Sequence, residues 1–279
     1  MLIEDVKSLS PEERFVYWIK ERESIRVSRL LRSRGPWTND TILQKYRFCN
    51  VRRMDDRVSQ WLYQYWYKKY KNHPNMLVAA TLARHFNLPQ TLDKVGFPKR
   101  WDPDWIKRIV RREKDSGFTV FNSAYMVRGI GAIDKTEMVI DRVCQPLVDH
   151  PPELNTNSMQ HCVEALVPYW GLSHFMAGQV VADLRWGITG KWKDRHTWAS
   201  KGPGSVRGMN RLLLLPLNQP MSQEKFSLLL LERVIQPLQG KIGTVAKHLE
   251  AIDYQNCLCE WDKYERTLLE GRRPKRLFT

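Results

Sequence analysis

Where a helix could begin along this chain, the residues that begin one are present, and nowhere do apolar and polar residues alternate for long. That punctuation constrains the fold more than any other feature. Ser10 precedes Pro11, and Glu13 stands three residues after Ser10. This is a capping box with proline at the first helical position, where its missing N–H is not needed. It predicts a helix over 11–34, stopped by Gly35-Pro36. Asp102-Pro103-Asp104 repeats the device ahead of a helix that closes on the basic turn Arg111-Arg112-Glu113-Lys114 and on Gly117. Val58, Trp61, Leu62, Tyr65 and Trp66 fall at helical spacing and predict a helix over 54–71. Further helices are expected over 75–86, 134–148, 158–167, 173–184, 222–238 and 244–269, with a short one capped by Thr38 and Asn39. Only 118–121 reads as a short strand.

The expected class is therefore all-α, as a single helical domain across residues 1–279, with room for two lobes around a cleft. At 42% hydrophobic residues the chain can fill a core. No apolar run approaches the ~18 residues of a membrane span; Leu212-Leu213-Leu214-Leu215 ends at Pro216. The first ten residues carry acids where a targeting peptide needs bases, so no leader is expected. Five Cys in this length form no disulfide framework, which points to a reducing compartment.

The net charge of +15 asks for a polyanion. Eleven Trp, ten Tyr and nine Phe supply faces on which unstacked bases could rest beside Arg and Lys. Solubility is the plainer use of such charge.

Standard nucleotide and metal motifs are missing. There is no GxxxxGK[ST] phosphate loop, Gly129-Ile130-Gly131 lacks the third glycine of a dinucleotide turn, and Cys257 and Cys259 find no further ligands at zinc or iron–sulfur spacing. No cofactor and no metal is expected. Reduced thiols on a half-buried helix account for the CxC pair.

Four stretches carry possible chemistry. In the first, 35–53, Trp37, Arg47, Asn50, Arg52 and Arg53 interleave aromatic, basic and amide groups; the arginines suit phosphate oxygens and Asn50 a base edge. A solvated loop with arginine packed on tryptophan is the alternative. The second and third share 168–211. Gly171 makes a tight turn between two helices, and Ser173 opens the second, which has small residues at Ala177 and Gly178. This is the outline of a helix-hairpin-helix, whose turn amides hold a DNA phosphate. Asp183 near that helix's end is a candidate general base, or an ordinary solvated acid. Next, Gly202, Gly204 and Gly208 flank Ser205, Arg207 and Arg211 in a GPGS loop; helix packing does not call for that combination, whereas an anion does. Last, Asn256, Lys263 and Arg266 lie near one face of a C-terminal helix, with Gln255, Cys259 and Asp262 on another. Either a salt-bridged surface or the wall of a polar substrate site fits that pattern.

Together, WTNDTILQKYRFCNVRR, GLSHFMAGQVVADL, GPGSVRGMNRL and NCLCEWDKYER resemble the bacteriophage thymidine-hypermodification family known as alpha-glutamyl/putrescinyl thymine pyrophosphorylase or amino acid:DNA transferase. The helical domain attached to some 5-hydroxymethyluracil DNA kinases shares the pattern. The resemblance runs from about residue 35 to 266 and implies a helix-hairpin-helix DNA-glycosylase-like fold; the missing phosphate loop favours the transferase branch. It also implies a reaction on double-stranded DNA carrying phosphorylated 5-hydroxymethyl-deoxyuridine, made by a partner kinase in the infected host's cytoplasm. An amino acid such as glycine, or a polyamine, replaces phosphate or pyrophosphate, and the base is flipped out to react. Such hypermodification protects a phage genome from host restriction.

On that reading Asp183 takes the amine's proton, with Asp194 and Asp262 next in line. Gly202, Gly204, Ser205, Arg207 and Arg211 stabilise the leaving group. Asp262, Lys263 and Asn256 anchor the amine substrate, while Trp37, Arg47, Asn50, Arg52, Arg53, Gly171 and Ser173 hold DNA. Attack by Cys257 or Cys259 on the ring is a minor alternative. Two rival functions stand beside it, a monofunctional glycosylase and a non-catalytic DNA-binding subunit.

A DNA affinity built on this charge falls steeply with salt. Log K against log salt should slope by roughly −0.9 per phosphate neutralised on duplex DNA. A flat titration between low and moderate salt would show that the +15 charge serves solubility alone.

Overall fold

Ser10 does what its position dictates. Its Oγ accepts from the Glu13 N–H at 3.3 Å, the Glu13 carboxylate accepts from the Ser10 N–H at 2.8 Å, and Pro11 opens helix α1, Pro11–Leu30. In the computed structural model residues 2–122, 134–274 and 277–278 are described; Gly129-Ile130-Gly131 lies outside them. Among the helices that follow are α2 (Arg57–Leu62), α3 (Met76–Phe86), α4 (Pro103–Asp115), α5 (Met159–Leu166), α6 (His174–Gly187), α7 (Pro203–Leu212), α8 (Gln223–Leu229) and α9 (Ala251–Glu270). The fold is all-α. Among the described residues there is no strand: the expected one at 118–121 forms no ladder, its Phe118 N–H donating back to Glu113 and its Val120 carbonyl accepting from Thr91, and Tyr46 and Leu277 make only an isolated bridge.

Several expected helices are interrupted, for identifiable reasons. Those expected over 134–148 and 222–238 widen into π-helical turns at Met138–Cys144 and Leu230–Ile235. Each turn lies just before a proline, Pro146 or Pro237, whose ring lacks an N–H and crowds the preceding carbonyls. The helix expected over 54–71 passes from α2 into a π-helical turn at Tyr63–Tyr67 with no proline to explain it. The helix expected from 244 starts at Ala251 instead, where the Asp253 carboxylate accepts from the Glu250 N–H at 2.9 Å. The short helix Thr41–Lys45 is capped not by Thr38 or Asn39 but by Asp40, which accepts from the Ile42 and Leu43 N–H groups.

The chain divides into two compact units. Unit 1 comprises Met1–Asp56 and Arg195–Thr279, and unit 2 is Arg57–Asp194. In unit 1, α1 buries Phe15, Trp18 and Ile19, with Phe15 5.2 Å from the Trp261 ring. Arg14 makes a buried fork with Glu265 at 2.9–3.2 Å, and Asp40 also accepts from the hydroxyls of Tyr17 and Tyr264. The closest packing is between α7 and α9. A Cβ on Gly208 would stand 2.2 Å from the Leu258 carbonyl oxygen, and one on Gly204 2.3 Å from the Cys259 sulfur. These glycines, four residues apart, form the strip on which α9 lies. The sequence expectation is thereby corrected: helix packing does call for them, and the segment is the start of a helix, not a loop.

In unit 2, α3 is buried on nearly every side. Its Arg84 makes a fork with Asp183 of α6, Nε to Oδ2 at 2.5 Å and Nη2 to Oδ1 at 2.7 Å. Tyr67 donates to the same carboxylate at 2.8 Å. Gly171, at φ +80°, turns the chain between α5 and α6; a Cβ there would meet Val143 at 2.8 Å as well as strain the backbone.

Gly208→Ala should cost stability in the range of overpacked cores, about 1–3 kcal/mol, because its neighbour is a helix backbone that cannot yield. Gly204→Ala should cost less, since the Cys259 side chain can rotate away. Urea unfolding of the two variants checks the order, and equal midpoints would refute it.

Candidate functional site

Two helices build a cluster of three arginines on one carboxylate in unit 1. Arg207 and Arg211 are four residues apart on α7, and Asp262 and Arg266 four apart on α9, so each pair presents one ridge. The ridges meet on the Asp262 carboxylate. Arg211 Nε donates to Oδ1 at 2.7 Å, and the Nε groups of Arg207 and Arg266 each lie 3.3 Å from Oδ2. Arg211 also pairs with Glu270. The Asp262 side chain is 2% exposed and that of Arg211 7%, but those of Arg207 and Arg266 are 36% and 31% exposed. A carboxylate so buried requires paired cations, and three surround it. The terminal nitrogens of Arg207 and Arg266 make no hydrogen bond among the described residues. Two guanidinium forks are thus held by one fixed anchor with their tips unspent. Arg266, placed on the helix face by sequence but given no role, joins the site; the matched i, i+4 spacing on two helices was the available signal.

Segment 47–53 is tied to the same helix. The Cys49 N–H donates to Glu260 at 3.0 Å, and the Arg53 N–H to Asp253 at 2.7 Å. Lys263 pairs with Glu260; burial opposes its charge, yet the carboxylate outweighs burial and holds the Lys263 pKa above its usual value. Asn256 is half-buried on α9, and Arg47 and Arg52 carry side chains with no protein partner among the described residues.

Several sequence-based assignments need correction. Asp183 is 0% exposed and bound by Arg84 and Tyr67, so it cannot receive a proton from a bound amine. Asp194 caps α5, accepting from Ser158 Oγ and from the Met159 and Gln160 N–H groups, and is no freer. Asp262 is the arginines' anchor and cannot hold an amine, and Arg211 is too buried to reach a leaving group. The Gly202 N–H donates to Ser205 Oγ at 2.9 Å, while that hydroxyl, 0% exposed, donates to the Gly202 carbonyl and accepts from Gln255. Gly202, Gly204 and Ser205 therefore cap and pack α7 and offer an anion nothing. Asn50 accepts from Arg22 at 2.6 Å and donates to the Asp55 carbonyl at 2.6 Å, leaving no edge to read a base. Trp37 donates to the Ser33 carbonyl and lies under Arg29, as the packing alternative had it.

Ser173 is exposed at the start of α6. Burial pushes the Cys259 thiol up to about 11 and Cys257 further, so neither is a thiolate near neutral pH. Among the described residues no three His, Cys, Asp or Glu side chains group as metal ligands, and no helix is long and apolar enough to cross a membrane.

The span that holds both ridges, α1 through α9, is also the span of a recognised family. The chain belongs to the family of the 5-hmdU DNA kinase helical domain, whose model matches residues 11–272. It is similar to a 5-hmdU DNA kinase of Bacillus phage SP10, with 30% identity over 223 residues, which is 68% of this chain and 34% of that protein. The chain thus spans about a third of the length of its curated relative. No solved structure matches.

With Asp183 read as structural, Asp183→Asn should lower stability by about 3–5 kcal/mol, the usual cost of leaving one partner of a buried pair uncompensated. Chemical unfolding tests this. Parent-like stability combined with lost activity would return Asp183 to the chemistry.

Proposed function

We propose that this chain acts in 5-hydroxymethyluracil DNA modification, as an amino acid:DNA transferase. The observation that carries the reading is the pair of half-exposed guanidiniums, Arg207 and Arg266, fixed on buried Asp262 within a chain whose family is the helical domain of a 5-hmdU DNA kinase. The sequence motifs that resemble the transferases span the same helices.

In the reaction, the bond between the 5-methylene carbon and the phosphate oxygen breaks, and phosphate or pyrophosphate leaves with the electron pair. The amine of an amino acid such as glycine, or of a polyamine, forms the new C–N bond and releases a proton. The electron-rich pyrimidine assists departure, so the protein's main task is to neutralise the leaving group. A departing phosphate carries close to two negative charges near neutral pH. Fixed cations stabilise such charge best because they need not reorganise as it develops. Arg207 and Arg266 supply them with planar forks that match phosphate oxygens. Lys263 and Asn256 are assigned to the carboxylate of the incoming amino acid. Arg47, Arg52 and Arg53 are assigned to the DNA strand, and the Gly171–Ser173 turn to a further phosphate. The helix-hairpin-helix relation and base flipping belong to this proposal too. No carboxylate is assigned as base, and the proton passes to water or to a second amine molecule.

Nucleoside mass spectrometry tests the reaction. DNA containing 5-hydroxymethyluracil is treated with a 5-hmdU DNA kinase and then incubated with this protein and a mixture of amino acids. An aminated thymidine supports the proposal. Release of free base without any amine identifies a glycosylase, and binding without turnover a non-catalytic subunit. Arg207→Lys should lower the rate of transfer by at least tenfold while leaving affinity for unmodified DNA nearly unchanged. Arg52→Ala should weaken binding of both kinds of DNA alike. Equal loss of both DNA affinities in Arg207→Lys would make that residue a strand contact.

A further inference from the structure

No Asp or Glu occurs between Arg57 and Leu92, although the whole chain holds 30 acids. Within that acid-free stretch of unit 2 the sequence Trp61-Leu62-Tyr63-Gln64-Tyr65-Trp66-Tyr67-Lys68-Lys69-Tyr70-Lys71 runs from rings into amines. The structure shows where they go. The π-helical turn at Tyr63–Tyr67 buries Trp66 and Tyr67 and leaves Tyr63 and Tyr65 37% and 49% exposed. From Tyr65 the rings continue inward without a gap: Trp61 lies 5.3 Å away, Trp66 6.1 Å from Trp61, and Phe97 5.6 Å from Trp66. Phe97 stacks on Tyr70 at 4.2 Å, which brings residues 97–100 beside 68–71.

That stack gathers cations. Lys69 and Lys99 sit 5.5 and 5.4 Å from the Tyr70 ring. Lys68, Lys71 and Arg100 are exposed beside them, and none of the five is ion-paired among the described residues. Elsewhere the cations are more often matched: Lys94, Lys107 and Lys114 in the same unit each face a carboxylate. Five unmatched cations repel one another unless something anionic covers them. Tyr65, exposed on that ring cluster at the edge of the charge, suits a ligand that is both anionic and flat-faced.

We propose that this surface is a second DNA-binding site, in which the lysines take backbone phosphates and Tyr65 stacks an unpaired base. Phosphate neutralisation and base–aromatic stacking are the two terms by which proteins hold single strands. A π-helical turn without a proline to force it is the kind of irregularity that recurs at functional sites. None of these residues figures in the transfer chemistry proposed above, and the two readings share only DNA as the ligand.

Fluorescence anisotropy with unmodified DNA, single-stranded and duplex, across a salt series tests the site without reference to any transfer reaction. A failed transfer assay therefore leaves this outcome intact, and the reverse. Combined Lys69→Ala, Lys71→Ala and Lys99→Ala should make the salt slope shallower by roughly two to three, at ~0.7–0.9 per lost phosphate. Lysine-to-arginine changes at the same positions should restore it. Tyr65→Ala should keep the slope and weaken single-strand binding by about tenfold. Lys71→Glu alone, on an exposed side chain, should weaken DNA binding at least tenfold, which keeps the test decisive if the triple variant does not fold. An unchanged slope in the folded triple variant, or parent-like affinity in Lys71→Glu, overturns the proposal. So does binding to phosphatidylserine vesicles that these substitutions abolish while DNA binding persists.

Discussion

The approach of α7 to α9, permitted by Gly204 and Gly208, sets the arrangement of the rest of unit 1. Helix α9 carries four buried acids, Asp253, Glu260, Asp262 and Glu265, and together they hold three parts of the chain. Asp253 accepts from the Arg53 amide, Glu260 from the Cys49 amide, Asp262 from the α7 arginines, and Glu265 from Arg14 of α1. A buried carboxylate without its partner costs several kcal/mol, so each pair strongly disfavours a shifted register. The helix works as a spine whose charges, more than its apolar stripe, determine which segment lies where. Were α7 held further away by a side chain at 208, the arginines would lose their common anchor and the two exposed forks their fixed geometry.

The helical class was open to reading from caps and prolines, because those signals act within a few residues. Ser10, Pro11, Asp102 and Pro103 behave as local chemistry requires. Interruptions were half legible: Pro146 and Pro237 stand in the sequence, but their effect is to widen the preceding turn and not to end the helix. The 63–67 turn had no such marker. The site was less legible than the fold. Carboxylates look alike in a sequence, and whether one is a base or an anchor depends on partners far along the chain: Arg84 lies 99 residues from Asp183, and Arg211 51 from Asp262. The glycines misled for the same reason, since the helix they accommodate begins more than forty residues later.

Both units bury acid–arginine forks in place of some apolar contact, and the two differ in what that leaves at the surface. In unit 2 the Arg84–Asp183 pair is sealed, with Arg84 2% exposed, and consumes its own charge. In unit 1 Asp262 and Glu270 face three arginines, so part of the cationic charge is left over and faces outward at Arg207 and Arg266. An excess of fixed cations over a buried anion is costly in an empty protein and favourable in one that holds a phosphate.

The order of the chain adds a consequence for synthesis. Unit 2 is one continuous stretch, Arg57–Asp194, set between the two pieces of unit 1. On a ribosome unit 2 can close as soon as its own residues have emerged, whereas α1 and segment 47–53 must wait for α9, some two hundred residues later. Until then Phe15, Trp18 and Ile19 have no core to enter and Arg14 has no carboxylate. The nascent chain can therefore pass through a stage in which unit 2 is complete while α1 still awaits the helix that covers its apolar face.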